Sequence, residues 1–196
     1  MLILVRHGRT AANAAGLLQG RLDPSLDDVG VAQAAQIGEH LRSACAEPPL
    51  VMSSPLLRAR QTASHISDKV MVDERWQEIA YGVYEGRPLA DVGAAQWARW
   101  RADDHFALEG GESLAALLAR VQPALEDLIA VAAERDVVVV SHVSPIKAAI
   151  AWALGVGIDI SWRCQLGQAS ISRIAVSGRG PSLLSFNETS HLAESS

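Results

Sequence analysis

The chain has 196 residues, 49% of them hydrophobic, and its 17 Lys and Arg against 22 Asp and Glu leave a formal charge of −5. That length and apolar share suffice for one globular domain with a sizeable core and exclude disorder, while the acidic balance excludes a broad nucleic-acid-binding surface, which needs a net basic stripe. Cys45 and Cys164 stand far apart without CxxC spacing, which suits reduced thiols in a cytoplasm and offers neither a disulfide framework nor a metal site.

In chain order, LILV at 2–5 is a short, continuous apolar run of the kind buried on both faces of a central sheet. It is too short, and too quickly followed by Arg6, to be a secretory leader, so a cytoplasmic protein is expected. Residues 28–43 read as a helix, 50–52 as a weak strand, 55–66 as a helix with Pro55 in its first turn, and 70–72 as a second weak strand. The segment 74–109 differs, being rich in charge and in Trp76, Tyr81, Tyr84, Trp97 and Trp100. It reads as an insertion over one edge of the sheet, with a substrate cap and a second small hydrophobic cluster weighed equally. Over 112–133, Leu114, Leu117, Leu118, Val121, Leu125, Leu128 and Ile129 share one helical face, and Pro123 is expected to kink or split that helix.

VVVV at 137–140 repeats the buried-strand pattern, 144–154 reads as a helix with Pro145 in its first turn, and 169–176 alternates as a strand. The longest stretch without charged or strongly polar residues, 148–158, is well short of a membrane span, so no membrane partner is expected. No repeat or low-complexity linker interrupts the pattern. The expectation is a single domain over 1–196: a three-layer α/β/α sandwich with a mostly parallel central sheet and a small cap insertion at 74–109.

Both buried runs end on histidine, LILV at Arg6-His7-Gly8 and VVVV at Ser141-His142. In an open α/β sheet, ligands bind beyond the carboxyl ends of the strands, so both imidazoles should face one pocket. His40, His65, His105 and His191 are read as ordinary structural histidines.

The remaining signals are RHGRT at 6–10 with Asn13, LLQGRLDPSL at 17–26, SSPLLRARQTA at 53–63, QEIAYGVYEG at 77–86, GGESL at 110–114 and SHVSP at 141–145. In this order and approximate spacing they resemble the histidine phosphatase superfamily, the phosphoglycerate-mutase-like enzymes, in its phosphatase branch, over nearly the whole chain. The chemistry is consistent with that. A phosphomonoester carries close to two negative charges, so its transfer needs donors fixed around the equatorial oxygens and an in-line nucleophile. Arg6 and Arg58 offer guanidinium forks; the resemblance selects Arg58 over Arg60. His7 is the candidate nucleophile, because an imidazole attacks phosphorus only when neutral and neighbouring cations disfavour the imidazolium. Which ring nitrogen attacks depends on what the other one donates to. Gly8 is read as allowing close approach of backbone to an anion.

The resemblance further implies that His142 stabilises the transferring group and that Asn13 and Gln19 contact phosphate or nearby water. It also implies a phosphate-facing backbone N–H at Val143, where many members have glycine. The resemblance likewise implies that Glu78, in the ExxxGxxEG string, serves as general acid and then base. Glu85 is read as structural at the base of the cap, Thr10 as a cap or brace of its loop, and GGESL as a helix start with Glu112 in the helix's early part. HExxH, Cys-x5-Arg, GxxxxGK[ST] and a nucleophile elbow are all missing, so no metal and no cofactor are expected.

The resulting expectation is a metal-independent phosphoric monoester hydrolase that works through a phosphohistidine on a small phosphorylated metabolite, with a homodimer compatible. The alternatives are mutase-type phosphoryl transfer, less favoured because Arg75, Arg87, Arg99 and Arg101 of the cap are outnumbered by carboxylates, and a catalytically silent binding protein of the same fold.

Overall fold

In the computed structural model, which describes residues 1–192, six strands form one sheet. They are β1 (Leu2–Arg6), β2 (Leu50–Ser53), β3 (Val70–Val72), β4 (Val137–Ser141), β5 (Ile171–Ser177) and β6 (Gly180–Glu188), in the order β3-β2-β4-β1-β5-β6. The pairs β1–β4, β4–β2 and β2–β3 are parallel, whereas β5 runs antiparallel to β1 and β6 antiparallel to β5. The sheet is therefore mostly parallel, as expected.

The helices are α1 (Ala11–Ala14), α2 (Asp28–Ala44), α3 (Leu57–Ser64), α4 (Ala94–Ala102), α5 (Leu114–Glu134) and α6 (Val143–Leu154). Successive strand residues point to opposite faces, and this sorts the core into two layers. Ile3, Val5, Val138 and Val140 pack with Ile37 and Leu41 of α2 and with Ala59 and Ala63 of α3. Leu2, Leu4, Val137 and Val139 pack with Leu117, Val121 and Leu125 of α5 and with Ile146 and Ile150 of α6. Each fully buried aliphatic side chain contributes about 1.5–3 kcal/mol. Because both faces of β1 and β4 are covered, their sequences read as unbroken apolar runs.

Three local expectations change. Helix α3 begins at Leu57, two residues after Pro55, which lies outside it. Pro123 does not split α5: it lies on the exposed face, as does Ala119, whose carbonyl loses its i+4 donor, so water can serve that carbonyl. The sequence reading also missed β6, a half-buried edge strand whose pairing with β5 contains register shifts that interrupt any clean alternation.

Within 74–109 the chain makes short 3-10 turns at Glu74–Trp76, Gly82–Tyr84 and Leu89–Asp91 and then α4. Its aromatic residues do not form a separate cluster. Trp76 and Trp100 are buried in the α5/α6 layer, and Tyr81, Tyr84 and Trp97 pack against it. Among the described residues no helix is long and apolar enough to cross a membrane.

Candidate active site

Strands β1 and β4 are parallel neighbours with Arg6 opposite Ser141, so the two histidines that follow them emerge side by side. The His7 N–H donates to the Ser141 carbonyl at 3.0 Å, and the His7 and His142 ring centroids lie 5.1 Å apart. Both rings are buried. His7 Nδ1 lies 2.7 Å from the Gly8 carbonyl. A carbonyl only accepts, so the hydrogen is on Nδ1 and the lone pair on Nε2. Arg58 Nε–H donates to that Nε2 at 3.3 Å, consistent with the same tautomer. Burial, then Arg58 and Arg6, hold His7 well below the usual histidine value of 6.5, and burial with Arg58 does the same to His142. The sequence reading named the cations; burial is the larger cause. His142 Nε2 is 2.7 Å from Ser54 Oγ, and its Nδ1 has no hydrogen-bond partner among the described residues.

Arg6 Nη1 donates to the Leu166 carbonyl at 2.5 Å. Arg58 Nη1 and Nη2 donate to the carbonyls of Leu22 and Gly20 at 2.6 and 2.8 Å. Arg58 is 1% exposed, whereas Arg60, two residues along the same helix, faces solvent. Glu78 accepts at Oε1 from the N–H groups of Ile79 (2.9 Å) and Ser144 (3.1 Å), and at Oε2 from Val143 (3.1 Å). The Val143 N–H, read from sequence as a phosphate donor, is thus held by Glu78 in this structure, an arrangement suited to a carboxylate at the start of α6.

Arg120 braces that segment by donating to the carbonyls of Arg75 (2.6 Å) and Glu78 (3.3 Å) while pairing with Glu112 at 2.7 Å. Glu112 precedes α5 rather than lying in its first turn, since Ser113 is the N-cap and accepts from the Ala116 N–H at 3.1 Å.

Thr10 caps α1, accepting from the Asn13 N–H at 3.1 Å. Its hydroxyl lies 3.1 Å from Asn13 Oδ1 and 3.0 Å from Gln19 Oε1. With both amide oxygens facing that hydroxyl, the amino groups of Asn13 and Gln19 remain as donors. Glu85 Oε1 accepts from the N–H groups of Arg21 (3.0 Å) and Tyr81 (3.1 Å), so it ties the 17–26 loop to the base of the cap. The reading of Gly8 needs correction: a Cβ there would lie 2.4 Å from the Gly30 carbonyl oxygen, so glycine serves the packing of this loop against α2.

Arg6, His7, Asn13, Gln19, Arg58, Glu78 and Val143 line one cavity of about 300 Å³, together with Gln168. An apolar cavity of about 220 Å³ adjoins it, sharing Leu18, Tyr81, Leu89 and Val143. Sequence reasoning gave no task to Ser54 or to Thr62, whose Oγ1 accepts the Gly8 N–H at 3.1 Å, although both lie inside a motif it used. Gln168 and the Leu166 carbonyl carried no signal at all. Among the described residues, no three or more His, Cys, Asp or Glu side chains gather as a metal site. A neutral imidazole whose Nε2 lone pair accepts from the Arg58 guanidinium, with Arg6 lining the same cavity, is arranged to attack an electrophile whose negative charge draws that guanidinium to itself.

Residues 2–189 match the family model for the histidine phosphatase superfamily, branch 1, and the chain belongs to that family. It is 34% identical over 201 residues to phosphoserine phosphatase 1 of Hydrogenobacter thermophilus, covering 98% of this chain and 94% of that protein. It is 35% identical over 191 residues to a glucosyl-3-phosphoglycerate phosphatase of Mycolicibacterium vanbaalenii, covering 90% and 84%. Among solved structures, a phosphoserine phosphatase mutant from Entamoeba histolytica in complex with phosphoserine matches with a TM-score of 0.89 at 29% identity, covering 98% of both chains.

Proposed function

We propose that this chain hydrolyses a small phosphorylated metabolite through a phosphohistidine on His7, without a metal. The observation that carries the reading is the His7 ring: Nδ1–H on the Gly8 carbonyl leaves Nε2 with its lone pair, buried beside Arg58. Nε2 attacks phosphorus in line, the P–N bond forms, and the bond to the alcohol oxygen breaks. Arg6, Arg58, the amino groups of Asn13 and Gln19, and His142 Nδ1–H surround the equatorial oxygens; Ser54 Oγ–H donating to His142 Nε2 would favour that tautomer. Protonated Glu78 gives its proton to the departing oxygen. The resulting carboxylate then takes a proton from the water that attacks phosphorus; as that P–O bond forms the P–N bond breaks, its electron pair returns to Nε2 and inorganic phosphate leaves. Vacated by Glu78, the Val143 N–H becomes a further phosphate donor.

Phosphatase relatives that cover nearly the whole chain support the same reaction class and a small metabolite as substrate. Hydrolysis is favoured over mutase-type transfer because the cap arginines are engaged elsewhere. Arg75 pairs with Asp73 and Asp127, and Arg87, Arg99 and Arg101 lie over Tyr84, Phe106 and Trp162. We assign residues 74–109 to a substrate cap on a single domain. The two free cysteines suit a cytoplasmic setting, and a homodimer is compatible with this reading. The test is phosphoenzyme trapping with a panel of phosphorylated metabolites: wild type should form an acid-labile, base-stable adduct and His7→Ala should form none. Substantial turnover by a folded His7→Ala variant would overturn the reading.

A further inference from the structure

We infer that the apolar cavity beside the phosphate pocket is the alcohol subsite, and that it selects phosphomonoesters whose alcohol carries a flat aromatic or apolar ring over amino-acid phosphates. The inference rests on the phosphatase reading above. Tyr81, Leu89 and Val143 line both cavities, so a group esterified to a phosphate at His7 passes between them into the second.

The walls of that cavity are aromatic and hold one another in place. Trp97 and Trp100 of α4 stack with centroids 5.6 Å apart and planes 14° apart. Trp162, from the 3-10 segment Ile158–Arg163, meets both edge-on at 6.1 and 5.7 Å, and Tyr81 meets Trp100 edge-on at 5.9 Å. A ring entering such a site loses water on both faces and finds its partners already ordered.

The charges point the same way. Among the described residues no carboxylate lines this cavity, and its one ionisable amine is Lys147, whose Nζ donates to the Ser161 carbonyl at 2.8 Å. The α-ammonium of an amino-acid phosphate would enter a site that holds a cation and no anion, and would give up its water without compensation. Lys147 still has N–H groups beyond the one on Ser161, which suit a neutral acceptor on the ring. Tethering Ser161 also keeps Trp162 in the wall.

Alkyl phosphates of comparable leaving group isolate the subsite from the chemistry. With the full chain, kcat/KM for 2-phenylethyl and 2-(1-naphthyl)ethyl phosphate should exceed that for ethyl phosphate and O-phosphoserine by about tenfold or more. Trp97 is only half-buried, and Trp97→Ala should reduce the phenylethyl-to-ethyl ratio on the order of tenfold, with Trp97→Phe restoring most of it. Equal or better hydrolysis of phosphoserine would overturn the inference and leave the phosphatase reading standing. An unchanged ratio in Trp97→Ala would do the same. Absence of turnover on every ester, an activated aryl phosphate included, would overturn both.

Discussion

Gly30 lies in the first turn of α2, and its N–H is accepted by the N-cap carboxylate of Asp27 at 2.8 Å. By helix propensity alone, Gly30→Ala should stabilise the protein by about 1 kcal/mol. The packing predicts otherwise. A Cβ at this position would lie 2.0 Å from the Arg9 carbonyl oxygen and 2.8 Å from the Arg9 C and N atoms, where ordinary contact begins at 3.4 Å. The shortfall to the oxygen is 3.4 − 2.0 = 1.4 Å, and since both partners are backbone no rotamer change relieves it. Overpacking of this kind costs about 1–3 kcal/mol, so net stability should fall by no more than about 2 kcal/mol once the helix gain is included. Turnover should suffer far more. Arg9 is two residues from His7, and the same segment is pinned to α2 by Asp27 N–H to the Arg9 carbonyl (3.1 Å) and Arg9 N–H to Gln33 (2.9 Å). A displacement of about an ångström at a reacting group costs on the order of a hundredfold in rate. Urea unfolding paired with steady-state hydrolysis of an activated aryl phosphate separates the two effects. A Gly30→Ala protein that is about 1 kcal/mol more stable and turns over at the wild-type rate would refute the argument.

The parts of the fold legible in sequence were those with a local cause. Residues 2–5 and 137–140 read as buried strands because both faces of β1 and β4 are covered, and their shared ending in histidine announced the site. Arg58 and Arg60 look alike by composition; only the motif separated the buried one from the exposed one. What stayed hidden was non-local. Ser54 meets His142 across 88 residues and Thr62 meets Gly8 across 54, and a short hydroxyl side chain before or inside a helix looks like a cap or a bond to its own turn until its distant partner is known. Trp162 and Lys147 likewise join the aromatic wall only through tertiary packing. The fate of Pro123 turned on the Ala119 carbonyl, which it leaves without a backbone donor and which lies on the exposed face of α5.

Two further predictions follow from the site. Glu78→Gln keeps the side chain's shape and removes its proton, so an alkyl phosphate should lose on the order of a hundredfold in kcat/KM while an activated aryl phosphate loses distinctly less. Equal losses on both esters would instead assign Glu78 to positioning. The other concerns pH and stability, through the two buried imidazoles. Both have folded values well below 6.5, with burial the largest cause. The unfolded chain therefore binds protons below 6.5 that the folded chain refuses, and stability falls as pH drops through that value. Two such groups give a slope approaching about 2.7 kcal/mol per pH unit. Between pH 7.5 and 5.5 the loss has a ceiling of roughly 3 kcal/mol, reached when both groups bind protons only in the unfolded chain, each then contributing about 1.4 kcal/mol at one unit below its unfolded value. His191, also lowered chiefly by burial, acts in the same direction. Carboxylates with ordinary unfolded values near 4 contribute little in this window. Chemical denaturation in a buffer free of phosphate, which would otherwise supply a counter-charge to the pocket, reads the slope directly. His142→Asn should remove close to half of it. A wild-type protein equally stable at pH 7.5 and 5.5 would mean that the histidines are not held neutral, and the lone pair assigned to His7 Nε2 would lose its physical basis.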